Sequence, residues 1–265
     1  MDAIDRFTEI IRSDDFRVAE AFLAFARLAH PDLDAEPYID VLDDLGMRVQ
    51  PAVESEQTQT KKLATLGAFL TEAGFRGNHD DYPDPRNSYL NEVIDRRLGI
   101  PISLSVVWIE CGIRAGIEMA GIGMPMHFLV GVEGTDLLAD PFDGGRLLSR
   151  SEAQAIFENR TGGRIEWRDD YLRATTPLQM VRRALSNLKA VYAASSGMQQ
   201  LLAVENYLLA MPDAPLEELK ERATLLSALG RYPQAIADLR TYLEDGPDDA
   251  DQVEREIRRL QASMN

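Results

Sequence analysis

Cysteine, histidine and long apolar runs are all scarce in this chain of 265 residues. Its single cysteine excludes an internal disulfide and is typical of a reducing compartment. Charged and polar residues interrupt every apolar stretch before it reaches membrane-spanning length, and the acidic start MDAIDRFTEIIRSDD lacks the basic and apolar pattern of an export signal. The sequence therefore predicts a cytoplasmic protein without membrane contact.

Basic residues are also few, since 28 lysines and arginines face 44 aspartates and glutamates, for a net charge of −16. Proteins that bind the phosphate backbone gain affinity from clustered cations, so this balance argues against a nucleic-acid partner. A local basic group at Arg182, Arg183 and Lys189 is the exception.

Only three histidines are available as metal ligands. One of them, His79, lies in the turn-rich segment GFRGNHDDYPDPR near Asp80, Asp81 and Asp84, but this spacing fits no established ligand pattern. We therefore expect neither a metal nor a cofactor, and interpret residues 74–86 as an ordered polar loop near a functional site.

The most informative stretch runs from residue 99 to residue 143. A helix is predicted to begin after Gly99-Ile100-Pro101, because proline is tolerated in a first turn, and to end near Gly116. Apolar residues occupy nearly every side of this helix, which indicates burial all round. It should therefore be the central helix of a domain.

Two strands are predicted to follow, at residues 124–132 and 137–141, as a hairpin. Thirteen positions separate His127 on the first strand from Asp140 on the second, so the two side chains can lie together. A carboxylate beside an imidazole makes an oriented general base. The alternative is that His127 is a half-buried strand residue and Asp140 a turn-former. Alternation at 164–168 suggests a further edge strand.

The end of the chain carries a helical repeat. From Leu216 onward the spacing of Leu226, Gly230 and Tyr232 follows the tetratricopeptide pattern, and a degenerate copy spans 185–212. Helical spacing also dominates the first 73 residues. The chain is therefore predicted to be α+β, with a mostly helical domain at 1–175 that includes a small antiparallel sheet, and an all-α tetratricopeptide-type domain at 176–265.

Several motifs together resemble the transglutaminase-like superfamily, and most closely its bacterial SirB-type branch, which joins such a core to tetratricopeptide repeats. The resemblance covers nearly the whole chain, and the residues that match are Asn87-Ser-Tyr-Leu-Asn91, Gly99-Ile-Pro-Ile-Ser-Leu-Ser105, Arg114-Ala-Gly116, His127-Phe-Leu129 and Asp140-Pro141. The resemblance implies a papain-like core in which a cysteine at the start of the central helix, a histidine and an aspartate act on an amide bond.

The sequence departs from that family pattern at the nucleophile. The superimposed motif puts Pro101 in the cysteine position, while a shift of two residues puts Ser103 there, and Ser105 is a further alternative. The only cysteine, Cys111, lies eight residues beyond Ser103, about 12 Å along the helix. We interpret it as an inert core thiol.

Three functions are compatible with these residues. The first is a non-catalytic module that binds a protein or peptide, because the nucleophilic cysteine is absent and the repeat type usually presents an interaction surface. The second is an amide-bond hydrolase or acyltransferase that uses Ser103 as nucleophile, His127 as base and Asp140 as orienting group. The third keeps His127 and Asp140 as acid and base acting on a bound small molecule.

Overall fold

The computed structural model describes residues 3–13 and 15–264. Within these residues the α-helices are α1 Ala3–Ile11, α2 Val18–Ala26, α3 Glu36–Glu54, α4 Gln59–Glu72, α5 Leu90–Arg96, α6 Pro101–Arg114, α7 Arg150–Thr161, α8 Pro177–Ala194, α9 Met198–Ala210, α10 Glu217–Ala228, α11 Tyr232–Leu243 and α12 Ala250–Ala262. None of these helices is both long and apolar enough to cross a membrane. The predicted α+β class is confirmed.

The strands are short and form two sheets. They are β1 Arg76–Gly77, β2 Leu98–Gly99, β3 Met119–Ile122, β4 Leu129–Val132, β5 Leu138–Asp140, β6 Arg146–Leu148 and β7 Ala174–Thr175. β1 and β2 pair in parallel, and the other five form an antiparallel sheet in the order β6-β5-β4-β3-β7.

The chain forms two compact units. One unit, here called the core, spans Ser13–Ala184, and the other, the tail, combines α1 with the residues from Leu185 onward. α1 groups with the tail because the buried Phe7 ring packs edge-on against Tyr207 of α9, with ring centroids 5.0 Å apart. The sequence placed α1 with the first domain, and its division into domains at 1–175 and 176–265 stays a prediction.

α6 is the central helix of the core, as the sequence indicated. It begins at Pro101, is buried from there through Gly112, and packs against α3, α4 and the sheet. Its Trp108 ring lies where a side chain on Gly67 or Gly145 would collide with it, since a Cβ on either residue would come within 2.6 Å of a ring carbon. Close backbone approach around one large aromatic ring thus fixes α6 in the core.

The predicted hairpin exists, but its strands are shorter than the sequence suggested. β4 begins only at Leu129, because Pro125 and the left-handed backbone of Met126, with φ of 63°, turn the chain before it. β4 then pairs with β5, with Val130 opposite Ala139. The prediction of a strand at 164–168 is wrong, since β7 takes the edge position beside β3 instead.

The tail is a helical array. α10 and α11 form the predicted repeat hairpin around Gly230, whose φ of 72° permits the tight turn. Leu226, Ala235 and Leu239 are buried between these helices and belong to one apolar cluster with residues of α9 and α12. α12 contributes Val253, Ile257 and Leu260 to that cluster.

Candidate functional site

His127 and Asp140 form a buried pair. Their Nε2 and Oδ2 atoms are 2.7 Å apart, and their side chains are 0% and 4% exposed. Asp140 ends β5, and its Oδ1 atom accepts hydrogen bonds from the backbone N–H groups of Phe142 and Asp143, at 3.0 and 3.3 Å. These three bonds fix the carboxylate against the imidazole, so the structure brings these two predicted site residues together.

The other imidazole nitrogen, Nδ1, is the free side of this pair in the described part of the chain. Within residues 3–13 and 15–264, His127 Nδ1 is buried and makes no hydrogen bond. When Nε2–H donates to Asp140, Nδ1 is the unprotonated nitrogen and a hydrogen-bond acceptor. The pair therefore has the chemical form of an oriented base whose basic nitrogen has nothing to act on within the described chain.

A tight turn delivers His127 to this position. The backbone N–H of His127 donates to the Met124 carbonyl at 3.1 Å, across Pro125 and the exposed Met126. The sequence analysis predicted a strand for this segment. It paired His127 with Asp140 correctly but did not predict the turn that carries His127. A turn suits a site residue, because it orients a side chain without requiring sheet alternation.

Phe142 links the pair to the polar loop at 74–86. Its ring centroid lies 4.4 Å from that of His79, 5.8 Å from that of Tyr82 and 6.4 Å from that of His127. A cleft of about 250 Å³ opens beside it, lined in part by His79, Asp140 and Arg160. The polar loop thus forms part of the walls around the His127–Asp140 pair.

Buried amides hold the loop in shape. Asn78 Nδ2 donates to Asn87 Oδ1 at 3.0 Å, and Asn87 Nδ2 donates to the Asp81 carbonyl at 2.7 Å. Asp84, whose side chain is 7% exposed, pairs with the guanidinium groups of Arg86 and Arg96 at 2.8 and 3.3 Å. Its carboxylate is thus engaged with these two arginines.

Ser103 is engaged elsewhere. Its Oγ is fully buried, donates to the Asn87 carbonyl at 2.5 Å and accepts from the Ile100 N–H at 3.1 Å. A hydroxyl has one proton to donate, and here the Asn87 carbonyl receives it. In this geometry the serine joins the start of α6 to the preceding loop, rather than presenting its proton to the imidazole. The Ser103-His127-Asp140 triad stays a prediction.

The other two candidate nucleophiles, Ser105 and Cys111, are buried in α6. Ser105 Oγ is fully buried and donates to the Pro101 carbonyl one turn earlier, at 2.8 Å. Cys111 is fully buried in α6, and burial raises the pKa of its thiol to about 12. Such a thiol carries almost no thiolate at neutral pH, so it cannot replace the missing cysteine at the helix start.

Sequence reasoning missed the cationic side of this site. The guanidinium Nη2 of Arg183 lies 3.4 Å from the carbonyl of Met124, at the turn that carries His127. Tyr82 is close enough to Arg160 and Arg183 for both cations to lower its pKa, although burial has the larger effect and raises it. The signal was present in the basic group at Arg182 and Arg183, but nothing local showed which of these arginines faces the site.

A helical core with a buried histidine–aspartate pair beside its central helix, followed by helical repeats, defines a class: a transglutaminase-like core joined to a tetratricopeptide tail. The family model for the transglutaminase-like superfamily matches residues 36–186, and a tetratricopeptide-repeat model matches residues 188–260. The chain therefore belongs to the transglutaminase-like superfamily.

Several of its relatives carry the name UPF0162 protein. One from Xylella fastidiosa strain Temecula1 is 36% identical over 230 residues, 84% of this chain and 81% of the relative. One from Vibrio cholerae is 26% identical over 250 residues, 89% and 88% of the two chains. Human F-box only protein 21 is 33% identical over 92 residues, 31% of this chain and 15% of that protein. No solved structure matches the chain.

Proposed function

We propose that the chain is a non-catalytic transglutaminase-like protein that binds a protein or peptide through its core cleft and its repeat tail. The observation that carries this proposal is the commitment of the hydroxyl proton of Ser103 to the Asn87 carbonyl, at 2.5 Å. Together with a single, buried cysteine, it leaves the start of α6 without an available nucleophile.

Two surfaces support binding. Tetratricopeptide repeats stack helices into extended faces that usually hold proteins or peptides. The cleft of about 250 Å³ in the core is lined by aromatic, amide and charged side chains around Phe142, a composition suited to peptide groups.

A second candidate is the amide-bond hydrolase or acyltransferase with Ser103, His127 and Asp140. The specific observation in its favour is the 2.7 Å pair together with the unpartnered His127 Nδ1. For this chemistry Ser103 would have to give up its bond to the Asn87 carbonyl and turn toward the imidazole. The same free nitrogen is the only support for acid–base action of His127 and Asp140 on a small molecule.

The catalytic question is tested with a fluorophosphonate probe on the purified full chain, read by intact mass and peptide mapping. We expect no labelling of Ser103, in the native protein or in a His127→Gln variant. Labelling of Ser103 that requires His127 would overturn the non-catalytic proposal and favour the hydrolase. Trypsin, a serine protease that reacts with fluorophosphonates, is labelled in a separate tube to verify the probe.

The binding question is tested with peptides selected by display on the full chain and measured by fluorescence anisotropy. Because Cys111 is buried, a Cys111→Ala variant should retain the affinity of the wild-type chain for every selected peptide. Loss of binding in this variant, while far-ultraviolet circular dichroism stays unchanged, would contradict the proposal. Failure to select any peptide would contradict it as well.

A further inference from the structure

Two arginines near the His127–Asp140 pair have no counter-ion among the described residues: the exposed Arg160, which lines the cleft, and the half-buried Arg183, at the His127 turn. Within the described residues, no carboxylate oxygen lies within 4.0 Å of a guanidinium nitrogen of Arg160 or Arg183, although acidic residues outnumber basic ones by 44 to 28. The one side-chain hydrogen bond that Arg183 makes within the described residues is the long one to the Met124 carbonyl, at 3.4 Å. A guanidinium removed from water without a charge partner is costly.

The surroundings of these cations are those of a binding site. Arg160 lines the cleft that also contains His79 and Phe142. Tyr82, whose ring packs edge-on against Phe142, is 45% exposed and therefore accessible to a ligand. Burial lowers the pKa of the Arg183 guanidinium, and the Tyr82 hydroxyl partly offsets this effect.

Both carboxylates of the cleft already have a partner, and for Asp140 this partner is His127, at 2.7 Å. Asp143 and Arg146 are 3.2 Å apart and form an ion pair. Among the arginines and carboxylates that line the cleft, Arg160 is therefore the one without an ion partner in the described residues, and the Nη2 of Arg183 lies beside the neighbouring His127 turn. A negatively charged ligand would supply the missing ion partner of these two guanidinium groups.

We propose that Arg160 and Arg183, with the hydroxyl of Tyr82, bind a carboxylate group of the partner peptide beside the His127–Asp140 pair. The planar guanidinium fork matches the two oxygens of a carboxylate, and a tyrosine hydroxyl adds a third donor. This inference rests on the proposed peptide binding, which it refines by naming the chemical group that is recognised. The carboxylate belongs either to an acidic side chain or to a peptide C-terminus.

Three tripeptides separate these sources: Ac-Ala-Glu-Ala-NH₂, Ac-Ala-Gln-Ala-OH and the neutral Ac-Ala-Gln-Ala-NH₂. Each is titrated into the full chain, with the side-chain Nε–H signal of the arginines and the Tyr82 ring signals followed by nuclear magnetic resonance. We expect at least one acidic peptide to bind about tenfold more tightly than the neutral one, as a charge-assisted pair predicts. The better of the two acidic peptides identifies the source.

The variants Arg160→Gln and Arg183→Gln should each abolish the preference for the acidic peptide. Arg183→Lys, which keeps the charge and disturbs packing less, should reduce it, because it lacks the planar fork. The matched control is Arg48→Gln. Arg48 belongs to the same unit, on α3, but its side chain is exposed and pairs with Asp44. This variant should keep the full preference.

Equal binding of the three peptides would overturn the carboxylate site, as would a preference that survives both glutamine variants. Stronger binding of inorganic phosphate than of either acidic peptide would overturn it too. These outcomes leave the proposed function standing if the display-selected peptides still bind. Conversely, if no displayed peptide binds, the proposed function fails and the carboxylate site fails with it.

Discussion

Glu205 of the tail is a buried carboxylate that shares one lysine with two other glutamates. The Nζ of Lys189 lies 3.0 Å from Glu205 and 2.6 Å from both Glu218 and Glu221, so one cation serves three carboxylates. Glu205 is 1% exposed, and its Oε2 makes no hydrogen bond within the described residues. Burial, with a smaller effect of Glu218, raises the pKa of Glu205 to about 8.

This shift makes the stability of the tail depend on pH. The unfolded chain releases the Glu205 proton near the ordinary value of 4.5, whereas the folded chain keeps it until about pH 8. Folding therefore takes up a proton between these values, and the free energy of unfolding falls as pH rises through this window. At 1.36 kcal/mol per pKa unit, the upper limit of the loss is roughly 5 kcal/mol.

Glu205→Gln should remove this dependence, because the amide stays neutral at every pH while Lys189 keeps two carboxylate partners. Although burial lowers it, hydrogen bonds to the carboxylates hold the pKa of Lys189 above its ordinary value, so the lysine stays charged. The assay is hydrogen exchange of the α9 and α10 amides from pH 5 to pH 9, corrected for intrinsic exchange. Glu254→Gln, which removes an exposed carboxylate from α12, is the control.

The expected result is that opening of α9 and α10 becomes easier with rising pH in the wild-type chain and in Glu254→Gln, but stays level in Glu205→Gln. Parallel curves for all three proteins would refute the assignment of a raised pKa to Glu205. A wild-type stability that increases toward pH 8 would refute the sign of the argument.

Three further predictions concern α6. Ser103→Ala should lower the free energy of unfolding by about 1–3 kcal/mol, since it removes two buried hydrogen bonds and leaves the Asn87 carbonyl and the Ile100 N–H only their long bond to each other, at 3.4 Å; urea denaturation of the full chain measures this. Gly67→Ala should cost about 1–3 kcal/mol and shift tryptophan fluorescence, because a Cβ would lie 2.6 Å from Trp108; an unchanged spectrum and stability would contradict that packing. Cys111 should react with iodoacetamide only in denaturant, and rapid alkylation of the native chain would contradict its burial.

Local rules were sufficient for the central helix α6, for the repeat hairpin and for the histidine–aspartate pair. Pro101 in a first turn and continuous apolar spacing predicted α6, and the repeat spacing predicted α10 and α11. His127 and Asp140 are brought together by a hairpin between neighbouring strands, so a short stretch of sequence contained the information needed to pair them.

Only the tertiary structure decided what those residues contact. Ser103 gives its proton to a carbonyl sixteen residues earlier, and Arg183 meets the His127 turn across fifty-nine residues. The edge strand beside β3 is β7 and not the segment 164–168, although both segments are short. Hydrophobic periodicity indicates which residues are buried, but it does not indicate which residues far away in the sequence they contact. The sequence therefore determined the parts of this protein, and long-range packing determined which of them can act together.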